Sequence, residues 1–129
     1  MTLVTGVDFT IIPTEDIDRA VDFYGNVLGL QRSKQWGEMP AHEFETGNLT
    51  IAVVDMSAFG QEFSPHRSPI AFRVDDVPAA RAELESRGVT FNGDTIDSGV
   101  CHQAIFEDPD GNVLDIHHRY APPVAFRRD

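Results

Sequence analysis

The feature that most constrains this chain is that it repeats itself. The run Ile11-Ile12-Pro13-Thr14-Glu15-Asp16-Ile17-Asp18-Arg19-Ala20 shares its frame with Ala71-Phe72-Arg73-Val74-Asp75-Asp76-Val77-Pro78-Ala79-Ala80. In each, an apolar stretch is followed by an aspartate, a β-branched residue, and an alanine three positions further on. Asp76 lies 60 residues after Asp16, and Gly111-Asn112-Val113 lies 64 residues after Gly47-Asn48-Leu49. The features keep the same order in both halves, so two copies of one supersecondary unit are the simplest account.

Each copy reads as β-α-β-β-β. In the first, a β-rich run over 6–12 leads to a helix capped by Asp16 or Thr14. Ile17, Ala20, Val21, Tyr24 and Leu28 then recur at helical spacing, and Gly29 stops the helix. Strand-like runs follow at 30–36, 41–45 and 49–54. In the second copy the strand spans 70–74 and Asp76 caps the helix. Pro78 sits in the first turn, Val77, Ala80 and Leu84 form the apolar stripe, and Gly88 is the stop. Three further strands are expected at 89–92, 100–107 and 112–118. Residues 56–68, with Gly60, Ser64, Pro65 and Ser68, suit a flexible connector. The expected organisation is one domain over 1–129: a first module at about 3–55, a linker at 56–68, a second module at 69–120 and a tail at 121–129.

Composition closes off several classes. At 129 residues and 41% hydrophobic content the chain suits one globular domain, and no window is apolar enough to span a membrane. The amino-terminal residues lack the basic and apolar regions of a secretory leader. The single cysteine, Cys101, excludes an internal disulfide and fits a cytoplasmic setting. A nucleophilic pairing of Cys101 with His102 or His117 is the sharper reading of that thiol, and a buried structural thiol the commoner one. A formal net charge of -11 disfavours nucleic acid, whose phosphates call for a basic patch. The same charge suits a cationic ligand, and equally it suits plain solubility.

The clearest local signal is Asp108-Pro109-Asp110-Gly111-Asn112, which places Pro and Gly as a tight turn requires. The strand after it alternates. Leu114 and Ile116 belong on the helix-covered face, which puts Asp115 and His117 on the opposite one.

Three stretches together resemble the vicinal oxygen chelate superfamily, which includes glyoxalase I, extradiol dioxygenases and the fosfomycin- and bleomycin-resistance proteins. They are the helix with its Phe23-Tyr24 and Val27-Leu28-Gly29-Leu30, the strand and cap at 70–77, and the hairpin region 106–116. The resemblance spans residues 3 to about 120. It implies an α+β fold in which two tandem β-α-β-β-β modules form a curved mixed sheet around a concave cavity, with helices outside. It also implies divalent-metal chemistry at four concave positions. Carried onto this sequence, those positions are Phe9, Ile51, Pro69 and Asp115, of which only Asp115 has a metal-binding side chain. One carboxylate does not hold a catalytic ion, so no metal or other cofactor is expected. A rebuilt site from His42, Glu43, His102, Asp115 and His117 is the alternative, although their spacing is not that of a dense ligand set.

The expected cavity wall comprises Phe9, Ile11, Trp36, Glu43, Arg73, Asp115 and His117, an apolar floor with a few polar groups. Phe9 offers a stacking face where a metal would sit, and Arg73 and Asp115 have the option of pairing with each other. The reading that follows is a protein that binds a small organic compound, an antibiotic among the options. Bleomycin-resistance proteins resemble the chain in length, acidity and terminal hairpin. The competing reading is a divergent lyase, dioxygenase or isomerase, with Asp115 and His117 as acid–base groups. A homodimer is the expected assembly, since relatives often pair modules between chains.

Overall fold

The computed structural model describes residues 2–122; the expected tail beyond 122 lies outside them. The described chain is α+β. Its first half carries β1 (Phe9–Thr14), α1 (Ile17–Asp22), β2 (Gln31–Gln35), β3 (Ala41–Glu45) and β4 (Thr50–Asp55). The second half carries β5 (Ile70–Arg73), α2 (Val77–Ser86), β6 (Ile96–Asp97), β7 (Cys101–Glu107) and β8 (Val113–Arg119). The strands form two four-stranded mixed sheets with matching order, β1-β4-β3-β2 and β5-β8-β7-β6. In each, the module's first strand runs parallel to its last. Among the described residues no helix is long and apolar enough to cross a membrane.

The chain forms two compact units. One runs to Pro69 and also takes in Glu107–Val113; the other holds Ile70–Phe106 and the chain from Leu114.

In the first unit Asp16 caps α1 by accepting from the Arg19 amide at 3.1 Å. Past Asp22 the helix widens into one π turn over Phe23–Val27, closed by Leu28 N–H on Phe23 O at 2.9 Å. The extra residue in that turn buries both Phe23 and Tyr24, whose rings meet edge to face at 5.2 Å. The 3.6-residue pattern had placed only Tyr24 inward. Ile12, Phe44, Ile51 and Val53 are buried on the sheet, and Tyr24 packs against Phe44 with ring centroids 6.2 Å apart. β2 is an exposed polar edge with a register shift between Arg32 and Lys34, which discourages edge-to-edge pairing.

The hairpin Glu107–Val113 is a built-in part of this unit. The Asp108 carboxylate accepts from Tyr24 Oη (2.6 Å), Asn112 Nδ2 (2.8 Å), and the amides of Asp110 and Asn112 (both 2.9 Å). Asn112 Nδ2 also donates to Pro13 O at 2.8 Å, and its Oδ1 accepts from His66 N. Asp110 reaches Thr14 Oγ1, the Glu15 amide and the Arg19 guanidinium. Gly111, at φ +86°, makes the turn. The segment read as a flexible connector is therefore tied down at its end. Arg67 Nη1 donates to Glu107 Oε1 and to Gly111 O, and the Val113 amide donates to His66 O. The same segment begins with a 3-10 turn over Met56–Phe59, capped by Asp55.

In the second unit Asp76 caps α2 by accepting from the Ala79 amide at 2.9 Å, and Gly88 at φ +96° follows its end. The strand expected at 89–92 does not form. Phe91 makes an isolated bridge to Phe106, and the edge strand falls at Ile96–Asp97 instead. Phe91 is held by packing: its ring lies 5.0 Å from Phe106 and 4.9 Å beneath the Arg81 guanidinium. Arg81 in turn donates to Gly93 O and Thr95 Oγ1, and the Asn92 amide donates to Ile105 O at 2.7 Å, so this stretch meets β7 at a single bridge without a continuous ladder.

Candidate functional site

Strand alternation sorts the first sheet into two faces. In register, Phe9 stands beside Thr50, Ile11 beside Ala52, and Ala52 beside Glu43 on β3. Ala41, Ala52 and Val54 are fully buried there, with Ile11, Trp36 and Met56 packed over them. The two alanines leave room for the Trp36 indole to lie on the sheet. Phe9 meets Trp36 at 5.4 Å and 68°, and Phe59 meets it at 6.4 Å and 80°. Phe9 and Phe59 remain 42% and 46% exposed, so the aromatic surface is open to solvent. Trp36 Nε1 donates to Glu43 Oε2 at 2.5 Å.

Four sequence-derived candidates, Phe9, Ile11, Trp36 and Glu43, are therefore on one face. Phe59 was not anticipated, because 56–68 read as a connector. The signal was Asp55 before Ser57, with Gly60 after Phe59. Asp55 accepts from the Ser57 amide and hydroxyl, and Gly60 closes the turn at φ +76°.

The second unit holds Arg73, Asp115 and His117. Leu114 and Ile116 are buried, as the alternation requires. Ala71 is opposite Asp115 in register, and Arg73 is opposite His117. Asp115 is 3% exposed, and its Oδ1 has no hydrogen-bond partner among the described residues. Burial raises its pKa above the usual carboxylate range, while the nearby His117 and the Ala104 amide pull it down. Arg73 is exposed and forms no ion pair with Asp115, so the option of pairing is not taken up among the described residues.

The four positions carried over as metal ligands do not supply a donor set. Phe9 has no donor atom. Ile51 is wholly buried and by alternation faces away from Ile11 and Ala52, so it is not the position facing the aromatic surface. Thr50 and Ala52 are, and neither brings a carboxylate. Among the described residues no three His, Cys, Asp or Glu side chains gather as a group able to hold an ion. The alternative ligand set is dispersed as well. His42 alternates with Glu43 and lies on the opposite face; burial lowers its pKa, Arg32 adds to that and Asp18 opposes it. His102 is 3.3 Å from Asp97 and 4.8 Å from the Tyr120 ring. Cys101 is a buried free thiol that alternates with His102 along β7, so the two side chains point apart.

Residues 6–116 match the family model of the Glyoxalase/Bleomycin resistance protein/Dioxygenase superfamily. A lactoylglutathione lyase of Schizosaccharomyces pombe is 26% identical over 140 residues, covering 85% of this chain; the chain spans about half of that enzyme's length, at 46%. The solved structure of TnmS3, an antibiotic binding protein from Streptomyces sp. CB03234, is 27% identical with a TM-score of 0.77, covering 92% of this chain and 99% of its own. A lactoylglutathione lyase structure from Agrobacterium tumefaciens shares the fold at 17% identity and a TM-score of 0.74, covering 88% and 93%.

Proposed function

From the premise that this chain belongs to the glyoxalase/bleomycin resistance protein/dioxygenase superfamily, we propose that it is a small-molecule-binding protein that holds an organic compound, an antibiotic among the candidates, without a metal. The observation that carries this reading is the open aromatic surface of Phe9, Trp36 and Phe59 over the alanine floor. Exposed aromatic side chains of this size are costly to leave in water, and burying them under a flat ligand recovers about 25 cal/mol per Å². The family position that would carry a metal ligand carries Phe9, a stacking group. The likeness to an antibiotic binding protein supports the same direction.

Trp36 is the single tryptophan, so its fluorescence reports directly on this surface. Titration with a bleomycin-type glycopeptide and a panel of planar aromatic compounds is expected to give at least one dissociation constant of about 10 μM or tighter. Trp36→Ala, followed by calorimetry, is expected to weaken it at least about tenfold. No binding below about 1 mM across the panel overturns the proposal.

A second reading, a metal-free acid–base enzyme, has one observation in its favour: the buried Asp115 with an unpartnered oxygen, two residues from His117. Deuterium uptake from D2O at the α-carbon of α-hydroxy carbonyl compounds tests it. Exchange that Asp115→Asn abolishes supports it; exchange equal to the solvent rate rejects it.

A further inference from the structure

We propose that the ligand of the aromatic surface is an organic cation and that Glu43 selects it; this rests on the binding function proposed above. Three observations converge. First, Glu43 is partly buried beside the indole, with Oε2 bound to Trp36 Nε1, so its carboxylate is fixed in position against the ring. Its Oε1 accepts no hydrogen bond among the described residues, leaving one acceptor oxygen at the edge of the aromatic surface.

Second, no ion pair neutralises this charge among the described residues. Lys34 stands opposite Glu43 in register, yet the two form no ion pair. Third, the rings of Phe9 and Phe59 each meet Trp36 at a steep angle, 68° and 80°. In each contact the edge of one ring meets the face of the other, and the Phe9 and Phe59 surface left exposed offers an aromatic face to a cation. The molecule's net charge of -11 draws the same class of ligand from a distance. A neutral aromatic gains from the rings alone, and an anion is repelled by Glu43. A flat cation gains from both rings and carboxylate.

The test compares N-methylacridinium, a permanent cation, with acridine, its near-isostere that is neutral at pH 8, by calorimetry on the full chain. Wild type is expected to prefer the cation by about tenfold. Glu43→Gln keeps an acceptor for Trp36 Nε1 and removes the charge, and is expected to bring the preference within about twofold while acridine affinity stays the same. Raising salt is expected to weaken the cation and leave acridine unchanged in the wild type, a readout that does not depend on the variant. Equal affinity of the wild type for both compounds overturns the Glu43 inference and leaves the binding function standing. Silence from both, together with silence across the wider panel, overturns the binding function itself.

Discussion

Asp108 and Asp115 lie seven residues apart in the chain, and both are almost wholly buried, at 5% and 3% exposure. Asp108, in the first unit, has four donors on its two oxygens. Asp115, in the second, has an oxygen that nothing reaches. A carboxylate so thoroughly bonded is a structural clamp. A carboxylate stripped of water and left short of donors is costly to keep. Burial alone does not tell a fully bonded aspartate from an unsatisfied one; the count of donors does.

Three substitutions press on that contrast. The largest effect is expected at Asp108→Ala, which removes at once the acceptor for the Tyr24 hydroxyl, two backbone amides and one of the Asn112 Nδ2 hydrogen bonds. Urea unfolding is expected to show a loss of about 3–5 kcal/mol; a loss below about 1 kcal/mol would mean that the clamp carries no load. Tyr24→Phe removes one of the four donors. Burial, and then Asp108, raise the Tyr24 pKa, so the phenol keeps its proton and acts as the donor. Its deletion is expected to cost about 1–2 kcal/mol in the same measurement.

Asp115→Asn is expected to move in the opposite direction, a gain of about 1 kcal/mol at pH 7. The sign follows from the raised pKa of Asp115 in the folded state. The folded protein holds that proton more tightly than the unfolded chain, whose aspartate titrates near pH 3.9. Below that pH the wild type carries no ionisation penalty. As pH rises above it the penalty builds, and it is complete once pH has passed the folded pKa. The gap between variant and wild type therefore opens above about pH 4. A variant that is less stable than wild type at pH 7 would place Asp115 with Asp108, as a structural group.

Much of the frame was legible because it is written in local chemistry. The aspartates at 16 and 76 cap their helices by accepting from the amide three residues on. The turn at Gly111 and the alternation along β8 are equally local, so Asp115 and His117 were separable from Leu114 and Ile116 on sequence alone. What escaped depends on partners distant in the chain. The π turn at Phe23–Val27 answers to packing of two rings, which helical periodicity does not encode. Residues 89–92 have strand composition, yet their partners are Arg81 and Phe106 and not a ladder. Ile51 was carried over by its position along the chain, and position alone holds no knowledge of which way a strand has turned. For the site, Phe9, Trp36 and Glu43 were recognisable by residue type, but Phe59 reached them through a turn hidden in a polar segment.

The hairpin at Glu107–Val113 has a consequence for how the molecule comes into being. The bonds it makes to Tyr24 and Pro13 close chain separations of 84 and 99 residues, which are slow contacts to form. During synthesis the first unit stays unfinished until nearly the whole described chain has emerged, and a fragment cut at Pro69 would leave the Tyr24 hydroxyl and the Pro13 carbonyl without their partners. The repeat visible in the sequence is thus a duplication of pattern and not of independence: the first half of the chain does not by itself contain every segment its own unit is built from.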